Sequence, residues 1–289
     1  MPDDKVSVII PMFNKSFYSK RCLAALMETT HRPLEIVAID NGSTDETPAV
    51  LAEAGAAARA AGIGLTVISN DSNRGASTAR NQGLGAARGE YIAVMDNDIV
   101  IRRRSWAGAM LSALKERPDV GIVSPKIMFA FPPHLIQCAG AAVSPTGRVF
   151  FLGRGEPADT PQFNAPRELQ AAISACWMMP ASIPRQLGGF DEIYNPVQYE
   201  DIDFAYRVRQ AGYKILYLPH VEMYHFENVT TGRSPTLNST YLIIRNGMEF
   251  KRRWRSMYTE EGGPDDREFD WKKIEKVPLE SIGSLDLID

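Results

Sequence analysis

Four apolar runs in the first hundred residues each end in a polar cluster, and segments of helical spacing separate them. The runs are VSVIIP (6–11), LEIVAI (34–39), LTVIS (65–69) and YIAVM (91–95). Short continuous apolar stretches bounded by turn residues read as buried strands. Between them, residues 17–28 carry Leu23, Leu26 and Met27 at helical spacing. An Ala-rich helix follows the second run, with Asp45 as its expected N-cap and Pro48 in its first turn, where a missing N–H costs nothing. A third helix spans 75–88, weakened by Gly83 and Gly85. Strand–helix alternation implies a mostly parallel sheet with right-handed crossovers, and such sheets bind ligands beyond the carboxyl ends of their strands. Those ends hold Pro11 to Asn14, Asp40 to Ser43, Asn70 to Gly75 and Asp96 to Asp98. All four clusters are therefore expected on one rim.

The second half is less regular. Strands are expected over 120–127, 147–152, 171–180 and 214–219, with a Pro-interrupted loop at 131–134 and a polar, Pro-rich stretch at 156–166. EDIDFAYRVRQAGY (200–213) reads as an amphipathic helix closed by Gly212. A last helix is expected over 241–253, then a polar tail from Glu260 without packed structure. A chain of 289 residues, 44% hydrophobic, fits one large domain or two small ones. Its net charge of −3 points away from nucleic acid. Cys22, Cys138 and Cys176 form no CxxC pair, so neither zinc nor a disulfide framework is indicated. The N-terminus lacks the features of a signal peptide, and no run reaches the roughly 20 apolar residues that span a bilayer, so a cytoplasmic protein is expected.

Two acidic groups stand out. Asp96-Asn97-Asp98 puts two carboxylates on one face of a strand end, which suits a hard divalent cation or, more plainly, a turn. Glu200-Asp201-Ile202-Asp203 opens a helix, where acids complement the macrodipole and Asp203 can pair with Arg207.

Four stretches in order, VSVIIPMFN, EIVAIDNGSTDET, SNRGASTARNQGLGAARGEYIAVMDND and GGFDEIYNPVQYEDIDFAYRVRQAGYKILYLP, cover roughly residues 5–220 and together resemble the family 2 glycosyltransferases. The resemblance implies an α/β GT-A fold, the Rossmann-like nucleotide-diphospho-sugar transferase fold with a mostly parallel central sheet. Residues 1–98 would form its nucleotide-sugar half, 99–245 its acceptor half, and 246–289 a C-terminal helix and tail. The implied reaction is metal-dependent, inverting transfer of one sugar from a nucleotide-diphosphate donor, UDP- or dTDP-linked, to a glycan, lipid-linked or small-molecule acceptor. Pro11, Asn14, Asp40, Ser43, Asn73, Gly75, Arg80 and Asp96 would bind the donor, with Asp40 on the base and Arg80 on base or diphosphate. Asp98, Asp96 and His225, preferred over His220, would hold Mn²⁺ or Mg²⁺. Asp201 would be the general base and Glu200 would orient the acceptor. Whether Glu200 and Asp203 raise the Asp201 pKa more than the helix N-terminus lowers it stays open. Trp177 could stack on a sugar or lie in the core, and NVTTGRS (228–234) could be a lid carrying Arg233.

The chain departs from the pattern at Asn97, where a third Asp is common, and at Phe250 of FKRRW, where processive members carry Gln. Basic clusters at 102–104 and 251–255 could touch anionic lipid, as a peripheral membrane contact, or simply be solvated. Two other readings compete. A sugar nucleotidyltransferase would need a basic phosphate loop after the first strand, where only Lys15 stands. A non-catalytic nucleotide-sugar-binding protein would have no need of both Asp98 and Asp201.

Overall fold

The computed structural model describes residues 4–227, 239–268, 272, 274–275, 277, 282–283 and 285–289. The first half is β1 (Val6–Met12), α1 (Ser16–Met27), β2 (Leu34–Asp40), α2 (Thr47–Ala60), β3 (Gly64–Ser69), α3 (Ala76–Ala86) and β4 (Tyr91–Met95). Then come β5 (Ile99–Ile101), α4 (Trp106–Glu116), β6 (Val120–Phe129), β7 (Ile136–Cys138), β8 (Ala141–Val143), β9 (Val149–Phe151) and β10 (Arg167–Glu168). The chain continues through β11 (Cys176–Pro180), α5 (Ser182–Leu187), α6 (Glu200–Gln210), β12 (Lys214–His225) and α7 (Ser239–Glu261).

The main sheet has the order β10-β12-β6-β11-β4-β1-β2-β3. β4, β1, β2 and β3 are parallel neighbours, and β12 is parallel to β6. β11 is antiparallel to both β4 and β6, so β6 and β12 run the same way as β4. Six of these eight strands thus share one direction, and the sheet is mostly parallel. β1 and β2 sit in its interior, which is why their sequences are continuous apolar runs rather than alternating ones. β3 closes the edge and is largely exposed.

Gly83 turns out to be a packing device. A Cβ there would meet Ile9 Cγ2 at 2.3 Å, so glycine lets α3 lie directly on β1. α2 begins two residues after Asp45, which accepts from the Thr47 backbone N–H at 2.9 Å although Glu46 holds the N-cap position. Gly212, at φ +92°, follows the cap residue Ala211 of α6 rather than being the cap.

Three other expectations are corrected. β11 starts at Cys176, not 171; Ala171 instead bridges to Ala141. β12 does not stop at Pro219. A register shift between Leu218 and Glu222 absorbs Pro219 and His220 as a bulge, and the strand resumes against β5 and β6 as far as His225. The tail also packs: Ile282 is buried, and Ile288 bonds back to Arg102 and Arg104 beside β5.

One buried carboxylate joins the acceptor-side elements. Asp203, fully buried on α6, accepts from Tyr194 Oη at 3.1 Å and from Arg207 Nε, Arg253 Nη1 and Trp254 Nε1, each at 2.9 Å. The Arg253-Trp254 pair of α7 is thereby anchored to α6. Asp203→Ala strands buried donors on three sides and should cost about 3–5 kcal/mol of unfolding free energy in urea titration.

Candidate active site

The polar strand ends meet the N-terminus of α6 around a cavity of about 370 Å³. β4 delivers Asp96 and Asp98 to it. The Asp96 N–H donates to the Ala175 carbonyl, while the Asn97 amide turns the other way and donates to Ser19 Oγ at 2.9 Å. The triplet forms the turn between β4 and β5, closed by the Ile99 N–H on the Asp96 carbonyl. This turn, not strand alternation, brings Asp96 and Asp98 to the cavity, while the Asn97 amide is tied to Ser19. The resumed part of β12 brings in the third group: His225 pairs in register with Ile99, next to Asp98. His225 Nε2 lies 3.1 Å from Asp98 Oδ1, and ligand atoms of Asp96, Asp98 and His225 all fall within 4.8 Å of one another.

The electrostatics of this trio fit a cation. Burial raises the Asp96 pKa, Arg80 opposes the rise and the Asp98 charge adds to it. Burial would depress the His225 pKa, but the charge and hydrogen bond of Asp98 overcome it and the pKa is raised. The Asp96 shift thus reflects burial first, and the His225 shift the nearby carboxylate charge, which a divalent ion would also neutralise. Two carboxylates and one imidazole suit Mn²⁺ more than Mg²⁺.

Behind His225 lies a chain of residues that the sequence did not single out. His225 Nδ1 is 2.7 Å from Gln137 Oε1, and Gln137 Nε2 donates to Glu227 Oε1 at 2.9 Å. Arg154 holds both Glu227 oxygens, at 2.6 and 3.1 Å. Because Gln137 uses its NH₂ on Glu227, its carbonyl faces Nδ1, which then carries the proton. That leaves Nε2 as the coordinating atom. The sequence signal was faint: a Gln in the apolar strand β7, and a Glu two residues after the histidine.

On the other wall, α6 opens with Glu200 and Asp201. Glu200 is buried, with Oε1 on Arg80 Nη1 at 2.6 Å and Oε2 without a partner among the described residues. Arg80 Nη2 reaches Asp96 Oδ1 at 2.9 Å. Asp201 accepts from the Ser174 N–H at 3.1 Å and the Ile202 N–H at 2.8 Å. Its pKa is raised to about 7, mainly by burial and then by the Glu200 charge, against the Ser174 and Ile202 hydrogen bonds and Arg80. Burial and repulsion prevail over the helix N-terminus, and Asp203, turned into the core, is not among the causes.

Pro11, Asn73, Arg80, Asp96, Asp98, Glu200, Asp201 and His225 line the cavity; Asn14, Asp40, Ser43 and Gly75 do not. Asp40 Oδ1 accepts from the Ser43 N–H at 2.9 Å, and Asn14 donates its N–H to Ser43 Oγ at 2.8 Å. Asn14 Oδ1 also accepts from the Thr44 N–H, tying the loops after β1 and β2 together. Gly75 has φ +89° and faces Asn195, where a Cβ would sit 2.4 Å from Oδ1. Trp177 is core, stacked on Phe190 and Phe204, and His220 is exposed on the bulge. Residues 228–234, with Arg233, lie outside the described residues. Among the described residues no helix is long and apolar enough to cross a membrane.

Residues 7–135 match the Glycosyl transferase family 2. An N-acetylglucosaminyl-diphospho-decaprenol L-rhamnosyltransferase of Mycobacterium tuberculosis is 28% identical over 273 residues, covering 83% of this chain and 84% of that one. An uncharacterized protein of Sinorhizobium fredii is 27% identical over 257 residues, 87% of this chain, but this chain spans 28% of its length. Among solved structures, GalNAc-T7 with UDP, GalNAc and Mn²⁺ aligns with a TM-score of 0.63 at 20% identity, over 86% of this chain and 50% of that one. The mannosyltransferase PcManGT of Pyrobaculum calidifontis, with GDP-Man and Mn²⁺, gives 0.61 at 20% identity, over 91% and 71%. Both likenesses carry the GT-A fold.

If Gln137 orients His225, Gln137→Ala should weaken Mn²⁺ binding by about 10–100-fold, read as free Mn²⁺ by electron paramagnetic resonance, with circular dichroism unchanged.

Proposed function

We propose that this chain, which belongs to the family 2 glycosyltransferases and has their GT-A fold, performs metal-dependent inverting transfer of one sugar from a nucleotide-diphosphate donor to an acceptor hydroxyl. One observation carries the reading. A cation-ready Asp96–Asp98–His225 cluster and a carboxyl poised near neutrality, Asp201, line the same cavity.

Asp96, Asp98 and His225 would hold Mn²⁺ or Mg²⁺, which when bound supplies Lewis-acid stabilisation of charge on a diphosphate leaving group. Asp201 takes the proton from the attacking acceptor hydroxyl. A base with a pKa of about 7 is matched to that task, being largely ionised at working pH yet still basic. Ser174 and Ile202 N–H groups fix its orientation. The unpartnered Oε2 of Glu200 accepts from a second acceptor hydroxyl, while the Arg80 hydrogen bond holds Glu200 aimed. A single base on the acceptor side supports one displacement, hence inversion.

The donor is a nucleotide diphosphate sugar, a reading supported by GDP-Man in PcManGT and by UDP with GalNAc in GalNAc-T7, with UDP- and dTDP-sugars the first to test. Asp40, Asn14 and Ser43 shape the base pocket through the joined loops after β1 and β2. The mycobacterial relative's name supports a lipid-diphosphate-linked acceptor and a rhamnosyl donor. A nucleotidyltransferase is disfavoured by Lys15 standing alone as the basic residue of the first loop. A purely binding role is disfavoured by the raised Asp201 pKa, which costs stability for no benefit. The free buried cysteines support a reducing compartment, and the cytoplasm is the proposed location.

A donor present at 100 times its Kd should stabilise the fold by about 2.7 kcal/mol in a thermal-shift panel with Mn²⁺, and markedly less after Asp98→Ala. Asp201→Asn should lower transfer by about 10²–10⁴ while Mn²⁺ binding persists, and retained anomeric configuration in the product would refute its role as base. The kcat/KM profile should rise to a plateau through about pH 7, because Asp201 acts in its ionised form. Stability runs the opposite way. The folded pKa lies above the ordinary 3.8, so ionising Asp201 costs stability as pH climbs from 3.8 to about 7. Asp201→Asn should therefore raise Tm at pH 8 and change it little at pH 4.

A further inference from the structure

Helix α7 buries one face and exposes the other. Leu242, Asn246, Phe250, Trp254 and Tyr258 recur at steps of four and are buried. The opposite stripe runs through Tyr241, Ile244, Met248, Lys251, Arg252 and Arg255 and is exposed, with Tyr241 at 58%, Ile244 at 57% and Met248 at 68%. A solvent-facing helical stripe is ordinarily polar. Here its first two turns are apolar and its last two are basic. Of seven exposed large hydrophobic residues among those described, four lie on this helix, the fourth being Ile243, which lines the cavity.

Most of the positive charge on the stripe is left to solvent, Arg252 being the one of its three cations that pairs with a carboxylate among the described residues. Arg253 pairs with Asp191 and Asp203, but it lies off the stripe; Arg252 pairs with Glu249 while remaining 71% exposed. Lys251 and Arg255 make no ion pair among the described residues. The 102–104 cluster behaves differently: Arg102 is held by Glu222, and Arg103 and Arg104 by Asp289. The two basic clusters thus separate into one used for packing and one facing solvent beside an apolar patch.

We infer that the exposed stripe of α7 docks on an anionic bilayer surface. Ile244 and Met248 enter the boundary between headgroups and acyl chains, and Lys251, Arg252 and Arg255 lie among the anionic headgroups. Apolar area and basic charge on one helical face are the two contributions that bind an interfacial helix, and neither spans the membrane. Ile243, on the same first turns, puts the cavity mouth next to the docked face. On the transferase reading, an acceptor carried on a membrane lipid then meets Asp201 without leaving the bilayer. The docking itself does not depend on that reading.

Sedimentation of the full chain with phosphatidylcholine–phosphatidylglycerol vesicles tests this. The protein should pellet with these vesicles, remain in solution with phosphatidylcholine alone, and be released as salt shortens the screening length. The pair Lys251→Glu and Arg255→Glu, and separately Ile244→Asp with Met248→Asp, should each lower vesicle partition on the order of tenfold or more. Both pairs should keep wild-type Mn²⁺ binding, Tm and donor hydrolysis. The inference is overturned if wild type stays in solution with anionic vesicles or if either pair pellets like wild type. It is equally overturned if, without lipid, wild type is a dimer that Ile244→Asp with Met248→Asp makes monomeric. Loss of donor hydrolysis in every protein, wild type included, would sink the transferase reading and leave the vesicle result standing.

Discussion

The buried guanidinium of Arg80 holds the two halves of the site together. It bridges Asp96, at the end of β4, and Glu200, at the start of α6, at 2.9 and 2.6 Å. Burying charge is expensive, and a buried carboxylate that loses its partner costs several kcal/mol. Glu200 and Arg80 are both almost fully buried, so each depends on the other. Through this bridge, the wall that would receive a diphosphate and the wall that would receive an acceptor are fixed relative to each other. α3 can deliver Arg80 there because Gly83, three residues on, lets the helix sit against β1.

Much of this was legible in the sequence, for a definite reason. Parallel strands buried on both faces write themselves as continuous apolar runs, and the residues that follow them necessarily reach one edge of the sheet. Asp96, Asp98 and Asn73 could be placed on one rim from order alone. What failed was anything that depended on contacts across the chain. Pro219 and His220 interrupt the pattern of β12, and only pairing with β5 and β6 carries the strand on to His225. Gln137 is an unremarkable polar residue until His225 is brought within 2.7 Å of it. Asp40, Asn14 and Ser43 follow the ends of β1 and β2, where they tie the two loops together by hydrogen bonds, and they do not line the cavity. Trp177 could have served a sugar or the core, and burial decides for the core.

The acidic opening of α6 shows why local sequence leaves structure and chemistry indistinguishable. Glu200, Asp201 and Asp203 all lie in the first turn and suit the positive end of a helix dipole, although the N-cap is Tyr199 and no side chain caps the helix. Direction separates them. Asp203 points into the core and gathers four donors, Glu200 points to Arg80, and Asp201 faces the cavity with two backbone N–H groups for company. Three residues of one type, within four positions, are a structural anchor, a paired charge and a titrating acid.

Charge accounting then constrains how a ligand enters. Asp96, Asp98, Glu200 and Asp201 line the cavity with Arg80 as the one guanidinium among its described lining residues, and the Glu227 charge is matched by Arg154 behind it. A nucleotide diphosphate brought into that space unaccompanied would add anionic charge to a wall already raising the pKa of Asp96, Asp201 and His225. A cation held by Asp96, Asp98 and His225 would offset that charge. On the proposed reading, a divalent ion would then be a condition of donor binding rather than an accessory to it.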